Sequence, residues 1–218
     1  MKVNLLSDFR PLMSTTLRHP PVQARSRERL QRVLDAAERV LADEGAAALT
    51  TTRVAAVAGV PVASVYRFFP DKEAIVEALA LGYWAEFGDA VGALAERMER
   101  RPLRDPVATI VDALAASFRS KPGFTALWFG GLRTERLRDA TRPSRARFAV
   151  YAERMLAVSY PDADAEILAA TARMLVLTGD ALLREAFRVD PDGDPKLLEE
   201  TKFVLGAYLE ARLGGRRR

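Results

Sequence analysis

The sequence predicts an all-α fold of about nine helices, divided into an N-terminal three-helix head and a C-terminal helical body. Apolar residues recur every three or four positions through each long segment. No segment longer than a few residues alternates polar and apolar side chains as a strand would. Proline, glycine and aspartate stand where the helical pattern stops and restarts. We expect a tail over residues 1–22, the head over 23–72, the body over 73–213 and a basic tail over 214–218.

Composition and charge bound the class of protein. The 218 residues are 49% hydrophobic and include no cysteine, which predicts a packed globular chain without disulfides or thiolate metal sites. The most apolar stretch, residues 167–187, contains four charged side chains, so we do not expect a membrane protein. The absence of cysteine fits the reducing cytoplasm, where we expect the protein to lie. Residues 1–70 hold ten basic and six acidic side chains, which equals the net charge of the whole chain, +4. A basic head indicates nucleic-acid binding, although so small an excess also arises by chance.

The N-terminal segment differs in character from the rest of the chain. Residues 1–22 have no helical period and contain three prolines, so we expect a mobile tail, within which Met13 is an alternative start. His19, the only histidine, lies in this tail, and we interpret it as incidental. Residues 24–44 then follow the helical period and end at Gly45, and the start of this first helix is basic.

The stretch after the first helix predicts two short helices joined by a tight turn. Thr50 or Thr51 can cap the first of them, because a threonine hydroxyl accepts a bond from an orphaned backbone N–H. Gly59 suits the left-handed residue that ends a helix. Pro61 fits the first turn of the second helix, and Pro70 ends it.

The second short helix has two distinct faces. Val65 and Phe69 lie four residues apart and should pack inward, whereas Ala63, Tyr66 and Arg67 should point outward. A helix with small residues at its N-terminus and with tyrosine and arginine beyond can approach base edges in a DNA major groove. We therefore interpret the pair as a helix-turn-helix unit. The alternative is two incidental core helices in an all-helical protein.

Residues 25–75 resemble the DNA-binding domain of the tetracycline-repressor (TetR) family of bacterial regulators. The resemblance rests on the apolar pattern of the first helix, a Thr-Thr-Arg helix start, an Ala-Gly-Val turn and a Val-Tyr-x-x-Phe-x-x-Lys pattern. The matching residues are Leu30, Val33, Leu34, Ala37, Val40, Leu41, Gly45, Thr51, Thr52, Arg53, Val54, Ala55, Ala58, Gly59, Val60, and residues 64–73. The resemblance implies a homodimeric transcriptional repressor that a small apolar or amphipathic effector releases from a palindromic operator of double-stranded DNA.

The same resemblance adds phosphate contacts to the outward face of the second short helix. In the family, a hydroxyl and a base at the start of the first short helix contact phosphate, and helix N-termini attract anions. Arg25 or Arg27, at the basic start of the long first helix, would touch a flanking phosphate or would simply be solvated. The expected DNA-binding residues are Arg25, Thr51, Thr52, Arg53, Pro61, Val62, Ala63, Tyr66, Arg67 and Lys72.

The body is predicted to contain six further helices. Their expected ranges are 72–100, 106–120, 124–129, 143–160, a helix from a cap at Asp162 or Asp164 to about 188, and 195–213. Glycines at 82, 88 and 92 are weak points in the first of these helices, and they permit close packing or bending.

The last two helices are apolar around most of their circumference, which predicts burial on two sides. Burial against a second copy of the chain is one explanation, and a monomer core is the other. The family dimerises through its last two long helices, so the resemblance favours a homodimer. The expected interface residues are Leu175, Leu182, Leu183, Phe187, Leu198, Val204, Leu205 and Tyr208.

An effector pocket is expected in the body, because small-molecule sites are mostly apolar with a few polar groups. The candidate lining residues are Phe87, Phe118, Trp128, Tyr151, Met155, Arg173 and Asp180. Aromatic residues at helical spacing are also plain core. Arg173 and Asp180 would pair with nearby charges, lie across the dimer interface or orient a ligand.

The sequence contains no pattern of residues typical of an enzyme, the other class of function beside a regulator. The only histidine lies in the tail, and the chain has no cysteine nucleophile, no glycine-rich phosphate loop and no histidine or cysteine metal cluster. We therefore expect no enzyme activity, no metal and no cofactor. The alternative to a regulator is a helical small-molecule-binding protein whose DNA binding is weak or non-specific.

Overall fold

The computed structural model describes residue 17 and residues 23–100, 103–129 and 134–214. Within these residues every long element is an α-helix, which confirms the predicted all-α fold. The helices are α1 (Ala24–Glu44), α2 (Thr51–Ala58), α3 (Val62–Phe68), α4 (Lys72–Arg100), α5 (Pro106–Arg119), α6 (Pro122–Phe129), α7 (Glu135–Ser159), α8 (Ala165–Val189) and α9 (Pro195–Leu213), with a 3-10 turn at Ala46–Ala48. Except at Leu17 and Gly214, the two predicted tails lie outside the described residues.

Most helix boundaries follow the predicted start and stop signals. The Thr50 hydroxyl accepts a hydrogen bond of 3.0 Å from the backbone N–H of Arg53, so Thr50 caps α2. Gly59 has φ 64° and ψ 38°, the left-handed conformation that glycine adopts without a Cβ clash. Aspartate side chains cap α4, α5, α8 and α9, and these residues are Asp71, Asp105, Asp164 and Asp194.

Two prolines occupy helix positions that differ from the predicted ones. The sequence predicts Pro61 inside the first turn of α3, but its ψ of 142° places it before the helix, at the N-cap. Residues 121–123 are predicted to interrupt the helices, but Pro122 is the first residue of α6. Proline fits this position because the N–H of a first helical residue has no partner within the helix.

The predicted start of α7 at Pro143 is wrong, because the helix begins eight residues earlier, at Glu135. The Thr134 hydroxyl accepts a hydrogen bond of 3.1 Å from the backbone N–H of Leu137 and so caps the earlier start. Pro143 lies inside the helix, where it has no N–H to donate to the carbonyl four residues back. Arginine-rich residues 135–147 carry few apolar side chains, which is why their helical period is weak.

The chain divides into two compact units. Unit 1 contains residues 1–85 and 121–141, and unit 2 contains residues 86–120 and 142–218. Consequently α4 and α7 are each divided, with one part in unit 1 and the other part in unit 2. The predicted division at residues 72 and 73 separates the chain by role and not by packing, and it stays a prediction.

In unit 1, α1 packs against α2 and α6, and α2 packs against α3. The Tyr83 hydroxyl on α4 donates a hydrogen bond of 3.2 Å to Glu38 Oε1 on α1. The ring of Tyr83 meets that of Phe124 on α6 edge-on, with centroids 5.5 Å apart. A Cβ at Gly123 would lie 2.5 Å from the Tyr83 hydroxyl, so α6 approaches this closely only because residue 123 has no side chain.

In unit 2, α8 packs against α9, and α9 packs against α5. One core cluster joins α7, α8 and α9 through Leu156, Tyr160, Leu168, Ala172, Leu209 and Leu213. Gly88 and Gly92 of α4 lie close to α7 in this unit, since a Cβ at Gly92 would lie 3.1 Å from the ring of Tyr151 and one at Gly88 would overlap the Arg147 side chain. No helix among the described residues has both the length and the apolar character of a membrane span.

Candidate nucleic-acid interface

Helix α3 exposes the side that the sequence predicts and buries the other. Val65 and Phe69 are completely buried. Tyr66 is 45% exposed, and Ala63 and Arg67 are also exposed. The short turn at Gly59 and the N-cap at residue 61 separate α3 from α2, so the two helices form a helix-turn-helix with one solvent-facing side.

Tyr66 is held by a residue of α2. The Thr51 hydroxyl donates a hydrogen bond of 3.1 Å to the Tyr66 hydroxyl oxygen. Because Thr51 is the first residue of α2, this bond fixes the tip of the α3 side chain against the start of the neighbouring helix. The Tyr66 hydroxyl hydrogen is left to donate, and a phosphate oxygen or a base acceptor can receive it.

Arg67 is held by a residue of α1. Its Nη2 donates a hydrogen bond of 3.1 Å to the Ser26 hydroxyl, and its guanidinium carbon lies 5.3 Å from the ring centroid of Phe68. The hydroxyl is uncharged, so the positive charge of Arg67 is not neutralised by this bond. Among the described residues Ser26 takes one donor of the guanidinium, and the other donors can form a paired contact with guanine or with phosphate.

Arg53 forms an ion pair with Glu44, a charged partner. Its Nε lies 3.0 and 2.9 Å from the two carboxylate oxygens of Glu44, and its Nη2 lies 2.8 Å from Glu44 Oε1. These hydrogen bonds lower the pKa of Glu44 and raise the pKa of Arg53. Both side chains are partly exposed, at 34% and 49%. The pair therefore neutralises a cation for which the family resemblance implies phosphate binding.

The other predicted DNA-binding residues are mostly exposed to solvent. Lys72 is the first residue of α4, where the helix dipole disfavours a cation unless an anion is near. Val62 is half-buried. The exposed members of the set are Arg25, Thr52, Pro61, Ala63 and Lys72.

Two residues of this surface were not predicted from the sequence. Ser26 lies 41 positions before its partner Arg67, and Glu44 lies nine positions before Arg53. Neither interval is a helical period, so no local pattern signals these contacts. They depend on how the ends of α1 meet α2 and α3.

The residues predicted to line an effector pocket do not all belong to one packing unit. Trp128 lies in unit 1, where its ring is 5.2 Å from that of Trp84 and 5.6 Å from that of Phe124. The ring of Phe118 in unit 2 lies 5.2 Å from Phe87 and 5.3 Å from Phe187. The pocket assignment stays a prediction.

The other candidates for the pocket are found at different depths of unit 2. Met155 is buried, and Tyr151 is half-buried beside Arg147, whose guanidinium carbon is 5.7 Å from its ring centroid. Asp180 forms an ion pair with Arg184 one turn along α8, whereas Arg173 is exposed. Asp180 is therefore paired with a nearby charge, which was one of the three interpretations of this residue.

Packing within one chain already covers half of the predicted dimer-interface residues. Leu183, Phe187, Leu198 and Leu205 are buried. The half-buried ones are Leu175, Leu182 and Tyr208, and Val204 is 41% exposed. The large apolar side chains that α8 and α9 expose are Met174, Leu177, Val189, Phe203 and Val204, and Phe203 is 71% exposed.

Comparisons with known proteins agree with this geometry. Residues 33–79 match the family described as "Bacterial regulatory proteins, tetR family", and residues 101–213 match "Tetracyclin repressor-like, C-terminal domain". A TetR-family transcriptional regulator from Streptomyces coelicolor is 31% identical, with 85% of this chain and 99% of that chain covered and a TM-score of 0.61. The multidrug binding protein EbrR complexed with ethidium is 27% identical, with 83% and 98% covered and a TM-score of 0.55. No curated protein sequence matches.

The chain belongs to the TetR family of transcriptional regulators. It is a DNA-binding regulator with a helix-turn-helix head and a ligand-binding body. The resemblance of residues 25–75 to this family is thereby confirmed.

Proposed function

We propose that the protein is a cytoplasmic homodimeric repressor, without enzyme activity, that leaves a palindromic operator when a small apolar or amphipathic effector binds. The observation that carries this proposal is the outward face of α3. Tyr66 and Arg67 are consecutive residues on this face, and each side chain forms a hydrogen bond with a hydroxyl group of another helix. A pre-positioned tyrosine and arginine lose less conformational freedom when they meet DNA.

The interface combines base contacts with phosphate contacts. Arg67 and the small N-terminal residues of α3 face the base edges, since an arginine forms a paired contact with guanine in the major groove. Phosphate contacts come from Thr52 and Arg53 at the start of α2 and from Lys72 at the start of α4. Phosphate contacts position the protein on any DNA, and base contacts supply the sequence preference.

Dimerisation through α8 and α9 is supported by the apolar side chains that one chain leaves exposed on them. Phe203 and Met174 are 71% and 46% exposed, and Leu177 is 52% exposed. Exposed groups of large apolar side chains mark interaction surfaces. A two-fold dimer presents two copies of α3, and helix-turn-helix dimers read half-sites about 34–36 Å apart.

Release of DNA requires only that the effector binds more tightly to a dimer whose two heads do not match the operator. The class of effector is suggested by EbrR, which has been solved with ethidium, an aromatic cation. The predicted pocket residues are largely aromatic, as an apolar or amphipathic ligand requires. We therefore propose aromatic and amphipathic compounds, including organic cations, as the first effectors to screen.

The proposal is tested by selecting fragments of the source genome with the purified protein at about 0.1 M salt and sequencing them. We expect enriched fragments to share an inverted repeat and to be released by at least one compound of the screen. Enrichment that vanishes with competitor DNA would instead support a small-molecule-binding protein with non-specific DNA affinity.

A further inference from the structure

The pairing of Arg53 with Glu44 conflicts with the role of Arg53 on DNA. The carboxylate meets Nε and Nη2 of the guanidinium at 2.8–3.0 Å, through three hydrogen bonds. A phosphate uses the same fork of donors, because carboxylate and phosphate both present two oxygens in one plane. Glu44 thus occupies the side of Arg53 that a DNA phosphate would take.

The position of Glu44 is unfavourable on its own helix. Glu44 is the last residue of α1, where the helix dipole is negative, and the preceding residue, Asp43, is also acidic. The last turn of α1 contains no basic residue. The hydrogen bonds to Arg53 offset this by stabilising the charged form of the Glu44 carboxyl, whose pKa they lower.

The other two contacts of the interface have no comparable effect on charge. Thr51 and Ser26 are neutral partners for Tyr66 and Arg67. Glu44 alone among these partners places a negative charge next to the DNA-facing residues. A phosphate that approaches Arg53 must displace this carboxylate or bind beside it, and either event weakens binding.

We propose that Glu44 is a built-in competitor for the DNA phosphate at Arg53, which lowers the affinity of the protein for every DNA sequence by the same factor. This inference rests on the proposed role of Arg53 as a phosphate contact. The effect weakens operator and non-specific binding alike, and the preference for the operator still comes from the base contacts.

The test is Glu44→Gln, which keeps the shape of the side chain and removes its charge. We expect binding to an operator and to a scrambled duplex to tighten equally, by about two- to five-fold at 0.1 M salt, the range of exposed ion pairs. The slope of log K against log salt should steepen by up to about one, because one more cation acts on phosphate.

Asp43→Asn is the matched control, because it removes the same charge one residue earlier. It should tighten binding less than Glu44→Gln. In an Arg53→Gln background, Glu44→Gln should have no larger effect than Asp43→Asn. Thermal unfolding of each variant verifies that the comparison is made on folded protein.

Weaker binding by Glu44→Gln would overturn the proposal, because Glu44 would then orient Arg53 for DNA. An effect equal to that of Asp43→Asn would also overturn it. Lys72→Ala, measured in parallel, distinguishes failure of this inference from failure of the proposed interface. If Lys72→Ala weakens binding while Glu44→Gln does nothing, only this inference fails; if neither Lys72→Ala nor Arg53→Gln changes binding, the proposed interface fails.

Discussion

Polar contacts between helices hold two exposed side chains of the proposed DNA-binding surface. Arg67 reaches the Ser26 hydroxyl at the start of α1, and Tyr66 meets the Thr51 hydroxyl at the start of α2. A long side chain that is already held loses less rotamer entropy on binding than a free one. At the scale of single residues, this surface is therefore partly ordered before DNA arrives.

Arg67→Ala should weaken operator binding by about 1–3 kcal/mol and should reduce the preference for the operator over scrambled DNA, because the contact proposed for Arg67 is to a base. Fluorescence anisotropy with both duplexes measures the two affinities. Arg212→Ala, an exposed arginine near the end of α9, is the control and should change neither affinity. Unchanged operator affinity for Arg67→Ala would remove this residue from the contact set.

Lys72→Ala should lower the affinity for operator and scrambled DNA by the same factor, since a phosphate contact has no sequence preference. The slope of log K against log salt should fall by about one. Salt titrations of both duplexes provide the measurement. A loss restricted to the operator would contradict a phosphate role.

At the scale of helices, sequence patterns predicted most elements but not how they meet. The predicted bounds of α1 and α4 agree with the structure, because each has a continuous apolar period and a clear terminal signal. The start of α7 was missed because its arginine-rich first turns carry little apolar period. The contacts of Ser26 and Glu44 were missed because they depend on the crossing of separate helices, which no local pattern records.

Gly123→Ala should destabilise unit 1 by about 1–3 kcal/mol, as overpacking of a filled core does. The added Cβ would lie 2.5 Å from the Tyr83 hydroxyl and 3.3 Å from the Glu38 carbonyl oxygen. Urea denaturation measures the change. Tyr83→Phe removes the clashing hydroxyl, so Gly123→Ala should cost less in that background; an equal cost in both backgrounds would contradict the assigned clash.

Lys202 on α9 links this helix to α5, with Nζ 2.7 Å from Asp112 Oδ1 and 2.7 Å from Glu199 Oε1. These hydrogen bonds raise the pKa of Lys202 above its ordinary value of 10.5. A raised pKa in the folded state stabilises the protein below pH 10.5, and the contribution is lost as pH rises through the folded pKa.

Lys202→Met should therefore lower the free energy of unfolding by up to about 1 kcal/mol at pH 8, the upper range for an exposed pair. The difference from the unmodified protein should shrink above pH 10.5. Urea denaturation at pH 8 and pH 11 compares the two proteins, with the exposed Lys196→Met as the control. A difference that is the same at both pH values would contradict the ion-pair explanation.

At the scale of the whole molecule, the family and the two-part organisation are established, while the dimer surface is proposed. The sequence predicted the family from a motif in residues 25–75, and the comparisons extend it to residues 101–213. The predicted interface included residues of the internal core, because an apolar period does not show whether a helix face meets its own chain or another. The structure shows only which side chains of α8 and α9 are already buried within their own chain.

Phe203→Glu should convert the dimer to a monomer at micromolar concentration, because it places a charge on the most exposed large apolar side chain of α9. Sedimentation velocity measures the mass. Val150→Glu changes an exposed apolar residue of α7, outside the proposed interface, and should leave the dimer intact. A dimer that persists in Phe203→Glu would place the interface elsewhere.

Sequence-specific DNA binding separates a transcriptional regulator from a small-molecule-binding protein, and a competition experiment measures it. The measurement is the ratio of affinities for the selected operator and for a scrambled duplex at physiological salt. We predict a ratio of about a thousand or more, the usual lower range for specific regulators. A ratio near one, with binding that disappears as salt rises, would show non-specific electrostatic binding and would contradict sequence-specific regulation.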